Sequence, residues 1–173
     1  MSDQKGGLFE NVSSKDFLGF SFHGATYKDS LSRAVKRTGQ LCALHVSERT
    51  VGGIKVVWMK HNFGFLGGSL GCAEGEKLLL GFERGRRLGL PCVVECRSGG
   101  ARMQEGTLSL MMLAKVSVAV RALADAGVPF ISVLQDPTYG GVSASYAMQS
   151  DVRIGVRGAR IGFAGPVKIG ASI

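Results

Sequence analysis

Apolar positions along the chain follow two periods, and each predicts a different element. Leu90-Pro91-Cys92-Val93-Val94 and Val128-Pro129-Phe130-Ile131-Ser132-Val133-Leu134 are nearly continuous apolar runs rich in β-branched residues, which predicts buried strands. Leu41–Val46 and Ile54–Met59 predict two more, with Gly52-Gly53 as a hairpin-type turn before the second. Asp151–Val156 and Ala159–Phe163 predict short strands. Helical spacing appears in Asp29–Thr38, where Leu31, Ala34 and Val35 share a face and Gly39 ends the run. It appears again in Glu74–Leu88, with Leu78, Leu79 and Phe82 inward, Lys77, Glu83, Arg84 and Arg87 outward, and Gly89 at the end. A long helix is predicted from Arg102 to Ala124, ended by Gly127, with Leu108, Met112, Val116 and Val120 in one row. Met111, Leu113 and Leu123 widen that row, which predicts burial on more than one side. Val142–Ser150 predicts a helix that begins at a glycine pair.

The elements repeat. Strand, glycine pair, helix occurs at Gly67-Gly68, Gly99-Gly100 and Gly140-Gly141; the first glycines, 67, 99 and 140, lie 32 and 41 residues apart. This spacing predicts an α/β fold of stacked ββα units. Residues 15–173 form the domain, and the polar, glycine-rich residues 1–14 a flexible tail. The centre of the pattern is Cys96-Arg97-Ser98-Gly99-Gly100-Ala101-Arg102-Met103-Gln104-Glu105-Gly106. It reads as a strand handing over to a helix start, where backbone N–H groups lack intrahelical partners and favour a negative oxygen. The chemistry is that of an oxyanion hole. The plainer alternative is a joint where Gly-Gly only turns the corner; three such turns meeting at one edge of the stack favour a site.

Composition narrows the picture without choosing a reaction. The 173 residues are 45% hydrophobic and carry 26 glycines, enough for one domain with a core and many close backbone approaches. The formal charge of +8 suits anionic partners, but the basic residues are scattered and form no nucleic-acid arm. Cys42, Cys72, Cys92 and Cys96 make no C-x-x-C pair, so no zinc or other metal site is expected, and the default is reduced buried thiols in an intracellular protein. The first residues, Met1 to Phe9, hold no apolar signal region, and Leu108–Leu123 is broken by Lys115 and short for a membrane span. The lone glycines at 67, 68 and 71 do not make a dinucleotide fingerprint, and no phosphate-binding P-loop occurs.

Several motifs in order are familiar. Ser98-Gly99-Gly100-Ala101-Arg102-Met103-Gln104-Glu105 resembles the signature of biotin-dependent acyl-CoA carboxylase carboxyltransferases, close to the acetyl-CoA carboxylase β-subunit type. Tyr27-Lys28-Asp29-Ser30-Leu31, Phe63-Gly64-Phe65-Leu66-Gly67-Gly68-Ser69-Leu70-Gly71, Asp136-Pro137-Thr138-Tyr139-Gly140-Gly141-Val142-Ser143-Ala144-Ser145 and Ile161-Gly162-Phe163-Ala164-Gly165-Pro166 resemble further family segments. The resemblance implies a crotonase-like fold of stacked ββα turns. It also implies transfer of a carboxyl group from carboxybiotin to acetyl-CoA, giving malonyl-CoA for fatty acid synthesis. In the family, biotin itself is thought to take the α-proton, and the enzyme's task is to hold an enolate oxygen. On this reading Gly99, Gly100, Gly140 and Gly141 are the catalytic positions, and Ala101, Arg102, Gly67 and Gly68 bind substrate. Arg102 orients the loop or meets CoA phosphates; a salt bridge to Glu105, or a solvated side chain, is the alternative. Asp136 beside Pro137 reads as a turn former rather than an acid.

The resemblance further implies biotin carried on a partner, a biotin carboxyl carrier protein, biotin carboxylase, and an α-type carboxyltransferase subunit in a hetero-oligomer. The location implied is the cytoplasm or plastid stroma. The sequence departs from the family in three ways: the N-terminal four-cysteine zinc ribbon is missing, the chain stops at Ile173, truncated soon after Gly165-Pro166, and Cys96-Arg97 stands where the family has Ala-Ser. Its acidic residue near the Cys42 position is absent too. The isolated chain is therefore expected to be inactive. Two other readings remain: a non-catalytic docking subunit with a degenerate site, and a crotonase-like serine hydrolase using Gly141-Val142-Ser143-Ala144-Ser145.

Overall fold

The computed structural model describes residues 7–165. Pro166, the end at Ile173 and residues 1–6 of the expected tail lie outside the described residues. A two-residue hairpin, β1 (Ser21–Phe22) and β2 (Ala25–Thr26), leads into helix α1 (Tyr27–Thr38). α1 starts earlier than the apolar spacing predicts. Thr26 caps it by accepting the Asp29 N–H at 3.0 Å, and Gly39, at φ 69°, closes it by donating to the Val35 carbonyl.

A five-stranded sheet follows in sequence order: β3 (Leu44–Val51), β4 (Ile54–His61), β5 (Cys92–Ser98), β6 (Phe130–Thr138) and β7 (Val152–Gly155). β3 and β4 form an antiparallel hairpin; β4, β5, β6 and β7 run parallel, with β5, β6 and β7 each reached through a crossover. Helix α2 (Cys72–Leu88) connects β4 to β5, and α3 (Gly106–Asp125) connects β5 to β6. β6 runs on through Thr138, past a cis Asp136–Pro137 peptide, where the composition predicts a turn.

Cys92, Val94 and Cys96 of β5, Val57 and Met59 of β4, and Leu78 and Phe82 of α2 are buried in one core with Val116, Val120 and Leu123 of α3. Each such buried apolar side chain contributes roughly 1.5–3 kcal/mol. α2 can lie this close to the sheet because glycines face it: a methyl group at Gly81 would fall within 2.4 Å of the Met59 sulfur, and one at Gly85 within 2.3 Å of the Cys92 sulfur.

Several expectations change. Residues 7–14 are tied down rather than loose: the Leu8 N–H donates to the Val46 carbonyl at 2.7 Å, and Leu8, Phe9 and Val12 pack on the core. α3 is buried along one side only, with Leu110, Met111 and Val118 exposed, because among the described residues α2, β6 and the 140–148 segment cover it on that side alone. With the turn before it, this helix is long and apolar enough to cross a membrane by length and composition, but Val116, Val120 and Leu123 seat it in the core. The predicted helix Val142–Ser150 is a four-residue helix, α4 (Gly140–Ser143), followed by a tight turn at Tyr146–Met148, and the predicted strand Ala159–Phe163 reduces to a single bridge between Thr138 and Ile161.

Candidate active site

The three glycine turns meet at the edge where β5 and β6 end. The Gly99 N–H donates to the Gly67 carbonyl at 3.0 Å. Gly100 and Gly140 touch backbone to backbone: a Cβ on Gly100 would lie 3.2 Å from the Gly140 Cα. Gly100 sits at φ +115°, a conformation that glycine alone adopts readily, and this lets the two turns close on each other.

The convergence is as the repeat predicts, but the donors are different. Three of the four glycine amides assigned to catalysis are occupied within the fold. Gly99 N–H serves Gly67, Gly100 N–H bonds the Ser98 hydroxyl at 3.0 Å, and Gly140 N–H bonds the Phe163 carbonyl at 2.9 Å. Among the described residues, the Gly141 and Ala101 N–H groups have no such acceptor. Gly141 lies in the first turn of α4, too early for an intrahelical bond. Ala101 forms a parallel bridge with Leu70: Leu70 N–H donates to the Gly100 carbonyl, and Arg102 N–H to the Leu70 carbonyl, each at 2.8 Å. The peptide groups on either side of Ala101 thus face Leu70, and the Ala101 N–H faces the other way. A methyl group on Gly141 would lie 3.4 Å from the Ala101 nitrogen, and one on Gly100 3.3 Å from the Gly141 nitrogen. The two unsatisfied amides therefore lie close together where the turns meet, and the space in front of them is the candidate site.

Helix dipoles do not serve this space. α3 begins at Gly106, after a tight turn at Met103–Glu105, and α4 has four residues. The polarity comes from single peptide groups. Gly67 lies beside it with open space at its Cβ position, whereas Gly68 is pressed against the Arg97 carbonyl.

Arg102 is corrected from a substrate contact. Its side chain is fully buried and pairs with Glu74 at 2.7 Å and Glu105 at 3.3 Å, so it reaches no CoA phosphate. The salt-bridge alternative holds, with a second carboxylate that the local sequence does not reveal. Arg97 does not fill the space before the amides. Its Nε donates to the Asp136 carbonyl at 2.7 Å, and its guanidinium lies over the Phe63 ring.

His61, which sequence reasoning passed over, is buried between the turns. Its Nδ1 is 2.9 Å from the Gly68 carbonyl, which only accepts, so Nδ1 carries the proton and Nε2 accepts from the Tyr146 hydroxyl at 2.6 Å. Burial pushes its pKa down. A His at the end of a strand shows no periodic signal of such a role. The hydrolase reading loses its nucleophile, since the Ser143 hydroxyl donates to the Gly140 and Gly162 carbonyls and that of Ser145 to the Gly141 carbonyl. Among the described residues, no group of three His, Cys, Asp or Glu side chains could hold a metal ion.

Comparison with known proteins agrees with this architecture. The family model for the carboxyl transferase domain matches residues 28–172. The acetyl-coenzyme A carboxylase carboxyl transferase subunit beta of a Caulobacter species is 47% identical over 152 residues, covering 88% of this chain and 49% of the relative. A beta/alpha protein of the same name from Salinispora tropica is 53% identical over 140 residues, covering 81% of this chain and 25% of the relative. Among solved structures, transcarboxylase 12S with hydrolysed methylmalonyl-coenzyme A bound superposes with a TM-score of 0.68 at 31% identity, over 75% of this chain and 25% of that one. The stacked ββα fold is therefore crotonase-like. The chain spans about half the length of the curated β-subunit relatives it matches. With that architecture, and a family model that covers most of its length, the chain belongs to the carboxyl transferase domain family.

Proposed function

We propose that this chain supplies the acyl-CoA half of an acetyl-CoA carboxylase carboxyltransferase site, in which acetyl-CoA becomes malonyl-CoA. The observation that carries the reading is the pair of unsatisfied N–H groups at Ala101 and Gly141, close together where the glycine turns meet. Removing the α-proton of a thioester moves charge onto its carbonyl oxygen. Two fixed N–H donors stabilise that oxygen more as an enolate than as a neutral thioester carbonyl, which lowers the barrier rather than only tightening binding. The open flank at Gly67 leaves room for the thioester, while Gly99, Gly100 and Gly140 hold the turns together through the bonds given above. Carboxybiotin, when bound, supplies the carboxyl group. The residues of this chain hold the acyl oxygen and exclude side chains from the space in front of it.

The partners on this reading are an α-type carboxyltransferase subunit, a biotinylated carrier protein and biotin carboxylase, in a hetero-oligomer. The Salinispora relative that joins β and α in its name supports the first of these. A cytoplasmic or plastid-stromal location goes with the reading. The test is reconstitution. Malonyl-CoA forms from acetyl-CoA when the chain is combined with an α-type subunit and carboxylated carrier, and not when the chain is alone. Turnover that is the same with and without this chain would leave it only a docking role.

A further inference from the structure

Beneath the turn that presents Ala101 lies a buried ionic cluster. The Arg102 side chain has no exposed surface, and its donors are fully used. Nε donates to the Ser69 hydroxyl at 3.0 Å, and one terminal nitrogen donates to the Ser69 carbonyl and to Glu74, both at 2.7 Å. The other donates to the Ser14 hydroxyl at 2.9 Å, and to the Tyr27 hydroxyl and Glu105 at 3.3 Å. The two carboxylates reach backbone in turn. Glu74 accepts the Ala43 N–H at 2.6 Å and the Gly71 N–H at 3.0 Å, while Glu105 accepts the Cys72 N–H at 2.6 Å.

We propose that Arg102 is a positioning residue: by gripping Ser69 it fixes the Leu70–Ala101 bridge, and so the direction of the Ala101 N–H. The inference rests on the oxyanion reading given above. The main chain of residue 102 bonds the Leu70 carbonyl, while its side chain bonds the hydroxyl and carbonyl of the residue before. One residue thus clamps the 69–70 segment from two directions. A buried ion cluster is poorly explained by stability alone, since desolvation offsets much of the Coulomb gain. It is well suited to holding loops in one geometry. A lysine could not reproduce the fork, because a single ammonium has three donors and no planar spread.

The test is Arg102→Lys in the reconstituted carboxyltransferase complex, read beside hydrogen exchange on the same chain. The expected result is a fall in kcat of roughly 10²-fold with KM for acetyl-CoA held within about threefold, the pattern of a misaimed transition-state donor. The Leu70 and Arg102 amides, protected by the bridge, exchange at least about tenfold faster, while the amides of β3 and β4 keep their protection. An unchanged kcat, an effect confined to KM, or unaltered exchange at Leu70 and Arg102 overturns the proposal. If Arg102→Lys does not fold, Ser69→Ala takes its place: it removes the hydroxyl that Nε grips and keeps all three charges, and the same two readouts decide by the same criteria. If the unmutated complex makes no malonyl-CoA, the functional reading fails, but the exchange result still decides whether Arg102 sets the bridge.

Discussion

Replacing Gly100 with alanine tests the site at its narrowest point. The backbone there has φ +115°, outside the range an L-residue adopts readily, and holding alanine in it costs on the order of 1–3 kcal/mol. The added methyl carbon would lie 3.2 Å from the Gly140 Cα, 3.3 Å from the Gly141 nitrogen and 3.4 Å from the Tyr139 carbonyl oxygen. All three neighbours are backbone, so none can rotate away. The methyl therefore pushes the two turns apart and crowds the Gly141 N–H. Losing one oxyanion donor lowers kcat by about 10²–10³, or roughly 3–4 kcal/mol of barrier. A stability loss of about 1–3 kcal/mol lowers Tm by roughly 2–12 °C for a chain of this size. The assay is malonyl-CoA formation in the reconstituted complex, below the variant's Tm and at saturating acetyl-CoA. Turnover within a few-fold of the unmutated chain, in a variant whose Tm has fallen as expected, would show that the paired amides do not act on the reacting oxygen.

Two further predictions concern protonation. His61 is held below its ordinary pKa of 6.5, first by burial, so the unfolded chain binds its proton more readily than the folded one. Stability tied to the neutral ring is complete above about pH 6.5 and falls as the pH drops below it; urea midpoints between pH 7.5 and pH 5.5 show this slope, and His61→Gln flattens it. Asp136 accepts hydrogen bonds from Arg160, which hold its carboxyl down at about 2 instead of 3.8. The lowered value means that the pair is intact above the unfolded pKa and is lost as the pH falls through about 2. Carbon-detected NMR titration of the Asp136 carboxyl follows it, and Arg160→Ala returns the midpoint toward 3.8.

By itself the sequence determined the local elements and their repetition. The apolar runs are β5 and β6, which bury Cys92, Val94, Cys96, Phe130 and Leu134 in the core beneath α2 and α3, and Gly39 and Gly89 end α1 and α2 because only glycine enters the left-handed cap at little cost. The glycine pairs and the motif around Ser98 to Glu105 also pointed to the right edge of the molecule. Only the tertiary structure decided which amides are free. Whether Gly100 or Ala101 presents its N–H depends on how Leu70, thirty-one residues before Ala101, lies against the turn. The same holds for Arg102, whose local partner Glu105 is visible at helical spacing, whereas Glu74, Tyr27 and Ser14 arrive from other elements. Periodicity reports which face of an element is apolar; hydrogen-bond direction is set by what packs against it from elsewhere in the chain.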